Sequence, residues 1–570
     1  MRGVSPLFVS EHLAPVDLHF ARLMAELSSP APCELELAAA LVSSLARKGH
    51  TCLDLNDPLA ALDTGATPDP SGIPDGETWA RILAGQPVVG QSGSFRPLIL
   101  DSGRLYLGRV HRDELVLAEK LVELSKTVRP FDGDISAGLV SRVFGDDGDS
   151  LEQKIAAAIA LGRSLCVITG GPGTGKTTLV CRILAVLLGL DPSLKVELSA
   201  PTGKAARRIA QAIGTVVERL DAPPEVKARM PRKAATLHRL LGHWPGRARN
   251  RGDTHVLDAD VVVVDEASMA DLAIMAALAR SLKEGARLIL VGDKNQLASV
   301  EAGYVLGDIC GDVTLPSCPE SLDRVAGKEA RRGVPAVRKA GVEDSIVELT
   351  KTRRFDETSA IFRASDAVRR GDAVSAAEIL YGPRGPDADA RELPLPDELG
   401  ESLARAVTEG YSAYLRADDP LERLRLFDAF RVLCAVRKGI YGVEAMNLLV
   451  ERILARKGFI RIEGAFYEHR PVLVTENDYT VGLFNGDVGV VVKTQAGLRV
   501  CFEAPDGSVR LVSPSRLPAH ESAYAMTVHK SQGSEFDHVL VVLPDRDSPV
   551  LTRELVYTAM TRARRHVSLW

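Results

Sequence analysis

Gly170-Gly-Pro-Gly-Thr-Gly175-Lys176-Thr177 lies directly behind an apolar run, Leu165–Thr169, and directly ahead of a helical segment, Thr178–Leu188. A G-x-x-x-x-G-K-[ST] spacing between a strand and a helix predicts a phosphate-binding loop. Its glycines let successive backbone N–H groups turn toward phosphate oxygens, and the helix N-terminus adds positive potential. Gly170, Gly171, Pro172, Gly173, Thr174, Gly175 and Thr178 would cradle the nucleotide. Lys176 can reach the β- and γ-phosphates, and the Thr177 hydroxyl can ligate Mg²⁺. The competing explanation is a structural turn, and Lys-Thr at this offset weighs against it.

Around this loop, short apolar strands alternate with helical segments, the signature of an α/β unit. Leu165–Thr169, Val196–Ser199, Val261–Val264 and Leu288–Val291 read as its strands. A second block of the same character begins near Ile346, with Val432–Val436 and Val539–Val542 as buried strands. Residues 470–518 differ. There Pro471–Val474, Val488–Val492, Leu498–Glu503 and Val509–Val512 are short strands separated by turn signals such as Asn485-Gly486 and Pro505-Asp506-Gly507. They predict a small antiparallel barrel inserted into the second block. Residues 1–115 read as a mainly helical unit, with helical spacing in His19–Leu27 and Leu35–Leu45 and a β-like pair, Arg96–Leu100 and Arg104–Leu107. An acidic linker over 145–150 and loops over 63–76 and 383–400 punctuate the chain. The expected domains are therefore 1–115, 116–345 and 346–570, the last carrying the insert at 470–518.

Two further strand ends carry chemistry. Asp265-Glu266 follows Val261–Val264, and adjacent carboxylates beside a buried strand are costly unless a cation or water chemistry uses them. Asp265 would hold the metal and Glu266 would polarise the attacking water. A solvated helix start is the alternative. Gly292-Asp-Lys-Asn-Gln296-Leu297 places a neutral amide where strand C-termini converge, so Gln296 could report a γ-phosphate or simply belong to a turn. Gln153 has two open readings: the third position of a capping box begun by Ser150, or an adenine-reading amide upstream of the phosphate loop.

Composition limits the rest. Across 570 residues, 70 Lys and Arg stand against 75 Asp and Glu, giving a net charge of −5, so any nucleic-acid site must be a local groove. The eight cysteines are dispersed without a C-x-x-C pair, which argues against zinc ribbons and a disulfide scaffold. The longest apolar stretch, Leu179–Leu190, is interrupted by Arg182 and too short to span a bilayer. His12, Asp17 and His19 break any signal-peptide core, so a cytoplasmic enzyme without membrane contact is expected.

Taken together, these residues resemble the motifs of superfamily 1 helicases. Ala200-Pro-Thr-Gly-Lys-Ala-Ala-Arg207 resembles motif Ia, and Thr236-Leu-His-Arg-Leu-Leu-Gly242 resembles motif Ib. Asp265–Ser268 and Gly292–Leu297 resemble motifs II and III, while Leu349-Thr-Lys-Thr-Arg-Arg354-Phe355 is similar to motif IV. Tyr524–Phe536 resembles motif V, and Val556–Arg564 resembles motif VI. The wording of Val432–Gly439, Asn477–Gly489, Pro15–Phe20 and Pro97–Gly108 is similar to the RecD family, the alpha subunits of exodeoxyribonuclease V in the RecBCD complex.

That resemblance implies two RecA-like domains with ATP between them, an SH3-like barrel insert in the second, and single-stranded DNA across their tops. It implies that Lys176, Asp265, Glu266, Gln296, Arg354 and Arg562 are catalytic, with Arg354 and Arg562 reaching the γ-phosphate from across the cleft. Arg353 stands where the family usually has an aromatic, which leaves Arg353 and Arg354 as rivals for the motif IV role; Arg354 is favoured. Gly533 and Glu535 would line the nucleotide, with Glu535 at the ribose. Thr202, Lys204, Thr236, His238, Thr527 and His529 are candidate DNA contacts, although short hydroxyls of this kind often cap helices. The implied activity is an ATP-dependent 5′-to-3′ DNA helicase with RecB-like and RecC-like partners, acting on DNA ends in recombinational repair. Nucleolysis would belong to a partner. A stand-alone RecD-type helicase, and a docking subunit with a vestigial motor, are the alternatives.

Overall fold

The computed structural model describes residues 13–58, 74–129, 133–145, 151–242, 256–298, 302–311, 341–356, 358–382, 387–478, 480–504 and 507–570. Most of the expected 63–76 loop and 145–150 linker, Ser150, and part of the 383–400 loop lie outside these residues.

The N-terminal unit packs helices Pro15–Leu27, Cys33–Arg47 and Gly76–Ala84 on a small sheet of β1 (Cys52–Asp54), β2 (Val89–Gly90), β3 (Leu98–Asp101) and β4 (Arg104–Leu107), ordered β1-β4-β3-β2. Leu35, Leu41, Leu45, Leu53 and Trp79 form its core. The helical character and the β3–β4 pair agree with the sequence. β1 and β2 are too short for a periodicity to reveal.

The first large sheet contains β5 (Leu165–Gly170), β6 (Val196–Ala200), β7 (Ala235–Thr236), β8 (Val261–Val264), β9 (Arg287–Gly292) and β10 (Ile346–Leu349), in the order β10-β5-β9-β8-β6-β7. Every ladder is parallel. Successive residues of one strand enter opposite cores: Val261 and Val263 pack on one face, Val262 and Val264 on the other. Burial on both faces explains why these strands are continuous apolar runs rather than alternating ones.

Two expected boundaries move. β10 pairs with β5, so the second unit begins after Leu349 rather than at 346. Helix Gly108–Lys126 runs across the expected break at 115, and its Val110, Leu117, Leu121 and Leu124 belong to the first unit's core. That unit therefore starts at about Gly108.

The second sheet is also parallel and is ordered β11-β20-β19-β12-β18. It comprises β11 (Ala388–Ala390), β12 (Phe430–Cys434), β18 (Ala525–Thr527), β19 (Phe536–Val542) and β20 (Ala563–Leu569). β11 and the helix starting at Leu399 replace part of the expected loop. Between β12 and β18 sits the insert: β13 (Pro471–Val474), β14 (Val488–Thr494), β15 (Gly497–Glu503), β16 (Val509–Val512) and β17 (His520–Ser522). It is antiparallel, as expected, with its own core of Val472, Val474, Val491, Val500 and Phe502. Its order is β16-β15-β14-β13-β17, and no ladder joins β16 to β17 among the described residues, so SH3-like closure is not seen. The sheet extends to Ser522, beyond the expected 518. No helix among the described residues is long and apolar enough to cross a membrane.

Candidate nucleotide-binding and DNA-binding site

The phosphate loop leaves the buried end of β5 and enters helix Lys176–Leu190, with Gly173 and Gly175 in the left-handed region at φ +79° and +87°. Gly173 tolerates no side chain, since a Cβ there would overlap the Cβ of Arg354. The Lys176 ammonium donates to the carbonyls of Gly170 at 2.6 Å and Gly171 at 3.0 Å, folded back on the loop it serves.

A cavity of about 210 Å³ opens beyond the loop, between the two large sheets. Pro172, Gly173, Gly175, Lys176, Thr177 and Thr178 line it from the loop; Asp265, Glu266 and Gln296 line it from the ends of β8 and β9. Arg354, Glu535 and Arg562 close it from the side of the second unit. The sequence thus brings nine expected side chains and two expected glycines and a proline to one place, although Arg354 and Arg562 are far apart in the chain. Gly170, Gly171 and Thr174 remain within the loop itself; the Thr174 hydroxyl donates to the Gly171 carbonyl.

Electrostatics within the cavity are strained toward an anionic guest. Burial, with the neighbouring Glu266 charge, pushes the Asp265 carboxyl up to about 6 against the pull of Lys176 and Arg208. Glu266 occupies the left-handed region at φ +52°, an uncommon conformation for a residue with a side chain. It is followed only by a single 3₁₀ turn, Ala267–Met269, so a solvated helix start does not account for the acid pair. Arg562 is buried and donates to the carbonyls of Thr558 and Ser534 without an ion-pair partner among the described residues. Burial pushes its guanidinium below the usual arginine range. Arg354 Nη1 and Gln296 Oε1 are buried with no hydrogen-bond partner. Both atoms belong to residues that line the cavity, so water or a ligand there could complete their bonding.

Arg354, and not Arg353, lines the cavity. Glu535, expected at a ribose, lines the cavity and pairs with Arg354 at 2.6 Å, with Arg208, and with Arg564 at 3.4 Å. Burial opposes its ionisation, yet Arg208 and Arg354 hold its carboxyl down to about 2. Arg208 also donates to the Gly533 carbonyl and lines the cavity. Nothing in the sequence marks Arg208, which lies just past the Ala200–Arg207 stretch that points to DNA. Gln153 is buried; its Oε1 accepts from Arg182 at 3.5 Å, and its Nε2 lies where a Cβ on Gly175 would touch it. The amide therefore lies against the phosphate loop. Gln153 and Gly533 are not part of the cavity wall.

The DNA candidates sit at strand ends. Thr202, at the start of helix Gly203–Arg219, accepts from Ala205 N, and Thr236, in register with Ala200, accepts from Arg239 N. The Thr527 hydroxyl accepts from Lys530 N. All three act as local caps, and the two sheets contribute them separately. Burial pushes the His529 imidazole down; His238 lies two residues beyond Thr236, in the short helix Leu237–Leu240. Lys204 faces a second groove, with Arg207, Asp428, Phe484 and Asp487, where the insert meets the first unit. There Phe484 covers Gly203, a Cβ on which would stand 3.1 Å away, and Asp487 pairs with Arg207.

Among the described residues no cluster of three or more His, Cys, Asp or Glu side chains could hold a metal. Among the described residues seven cysteines are free, and five of these are buried.

Two parallel sheets in the order given, joined by a cavity with a phosphate loop on one wall and arginines on the other, define a two-lobed P-loop protein, the class to which DNA helicases belong. Family models agree along the chain. Residues 10–106 match the "RecBCD enzyme subunit RecD, N-terminal domain", 153–302 an "AAA domain", and 522–570 a "UvrD-like helicase C-terminal domain". RecBCD enzyme subunit RecD of Mycolicibacterium smegmatis is 37% identical over 98% of this chain and 93% of its own length. That of Haemophilus influenzae is 33% identical over 98% and 94%. The chain belongs to the RecD family of RecBCD enzyme subunits. The ATP-dependent RecD2 DNA helicase of Deinococcus radiodurans is 33% identical over 81% of this chain but only 54% of its own length. Among solved structures, Bacteroides Pif1 bound to ssDNA aligns with a TM-score of 0.38 and 18% identity, covering 74% of this chain and 91% of that one.

Proposed function

We propose that this chain is the ATP-driven 5′-to-3′ DNA helicase subunit of a cytoplasmic RecBCD-type enzyme, working with RecB-like and RecC-like subunits at DNA double-strand-break ends. The observation that carries this reading is the cavity itself: its two walls come from different sheets, so the distance between the units must respond to what fills it. ATP fits the donor set. Lys176, Arg354 and Arg562 present three cations where transferred phosphate charge spreads, and Glu266 stands as base for the attacking water. Such arginines are worth about 10³–10⁵ in rate.

Thr177 and Asp265 are the residues that would hold Mg²⁺. Two protein ligands suit an ion that keeps waters and takes phosphate oxygens. Held there, Mg²⁺ would supply positive charge against the negative charge of the phosphates. Gln153 would read the adenine from behind the loop.

Thr202, Lys204 and Thr236 on the first unit, with Thr527 and His529 on the second, would grip the phosphodiester backbone. Closure on ATP and reopening after hydrolysis would then shift one grip relative to the other and advance the strand. The N-terminal unit, which ends near Leu107 and carries none of the phosphate chemistry, would dock the partners. Residues 10–106, matched to the RecD N-terminal domain, support a complex subunit over a stand-alone helicase. The experiment is co-purification of the native protein coupled to an ATPase assay. A RecB-like and a RecC-like subunit should co-elute, with hydrolysis stimulated by single-stranded DNA. A free chain with DNA-stimulated hydrolysis would favour the stand-alone reading, and a complexed chain without hydrolysis a vestigial motor.

A further inference from the structure

Asp293 and Tyr557, 264 residues apart in sequence, meet at the seam between the two large units. The Tyr557 hydroxyl donates to Asp293 Oδ2 at 3.1 Å, and Gln296 Nε2 donates to the same oxygen at 3.0 Å. All three residues are buried, Asp293 completely. Because a carboxylate oxygen only accepts, the amide must turn its nitrogen toward Asp293. Gln296 therefore lines the cavity with an amide whose unpartnered end is Oε1, an acceptor. An acceptor repels a phosphate oxygen and takes a hydrogen bond from water.

The same seam is pinned twice more. Leu297 N donates to Thr558 Oγ1 at 2.9 Å, and Gln532 Nε2 donates to the Leu297 carbonyl at 2.8 Å. Thr558 in turn accepts from Arg562 Nε through its carbonyl, at 3.1 Å. Tyr557 and Thr558 lie on one helix, Arg553–Met560, which delivers Arg562 to the cavity.

We propose that Tyr557 is a positioning residue: through Asp293 it sets the Gln296 amide oxygen for the attacking water, and it ties that setting to the helix that carries Arg562. This rests on the reading of the cavity as the site of ATP hydrolysis. Water orientation would then depend on both units being docked.

The test uses the full chain with single-stranded DNA. Tyr557→Phe removes one hydroxyl and keeps the ring. The DNA-stimulated kcat should fall about tenfold or more while KM for ATP stays within about twofold, the pattern of an interaction used in the transition state. In a double-mutant cycle, Asp293→Asn with Tyr557→Phe should lose no more than Asp293→Asn alone. A tyrosine that merely supports the fold would lower the melting midpoint without splitting kcat from KM. An unchanged kcat in Tyr557→Phe, or additive losses in the cycle, overturns the proposal. Should Tyr557→Phe fail to fold, Asp293→Asn carries the same expectation, and full kcat there is equally fatal. Lys176→Gln, assayed in parallel, separates the two readings: hydrolysis surviving in it defeats the cavity assignment. Hydrolysis lost there but intact in Tyr557→Phe defeats only the positioning role.

Discussion

Glu535→Gln removes the carboxylate that Arg208, Arg354 and Arg564 share. The Glu535 side chain is 11% exposed and its carboxyl is held at about 2 instead of 4.5. Linkage converts that difference into about 3 kcal/mol of stability at neutral pH. Because the folded value lies below the unfolded one, the contribution is complete above pH 4.5 and is lost as pH falls toward 2. The amide keeps the shape but takes the paired carboxylate from Arg208 and Arg354, while Arg564 keeps Asp537, and Arg354 Nη1 already lacks a partner. At roughly 2–4 °C per kcal/mol for units of about 150–250 residues, the nucleotide-free melting midpoint should drop by several degrees. A non-hydrolysable ATP analogue supplies negative charge to the same arginines, so at saturation the loss should shrink to less than half. Thermal denaturation with and without the analogue, at pH 7, reads both numbers. An equal loss in the two conditions, or none, refutes the counter-ion role; a larger loss with nucleotide restores Glu535 to a ribose contact.

Other expectations follow from the same geometry. Glu266→Gln should bind ATP normally, in a filter or fluorescence assay, while hydrolysis falls by about 10²-fold or more; failure to bind would make Glu266 structural. Burial, with Arg431, Arg208 and Arg207 nearby, brings the Lys204 ammonium down to about 8, so its charge is lost as pH rises through that value. Single-strand affinity by anisotropy should therefore weaken between about pH 7 and 9 and stay flat in Lys204→Arg; coincident profiles would take Lys204 off the DNA. Deleting the chain up to Leu107, so that helix Gly108–Lys126 stays in its core, should leave a weak ATPase that no longer co-purifies with partners. Retained co-purification would place the docking surface elsewhere.

The parts of the site that were legible in the sequence are those written locally. Leu165–Gly170 followed by the glycine loop, and Val261–Val264 followed by two acids, announce themselves because strand burial and the chemistry lie within ten residues of each other. The arginines Arg354 and Arg562 were reachable only through the resemblance, since nothing within either segment says which way a guanidinium faces. Arg208 escaped for a related reason: Thr202 caps the helix, and only its docking against Glu535 shows which face of that helix meets the cavity. Asp293 and Tyr557 carry no local signal of their meeting. β10 looked like the first strand of a new unit because an apolar four-residue run says that it is buried but not in which sheet. Thr202, Thr236 and Thr527 were ambiguous in the sequence between cap and DNA contact, and their caps are formed here.

Unwinding of tailed duplexes tests the central claim most directly. With ATP and Mg²⁺, the native protein should separate strands from a 5′ single-stranded tail, and Lys176→Gln should abolish it without changing the fold. Separation only from 3′ tails, or unwinding that survives Lys176→Gln, would contradict the account.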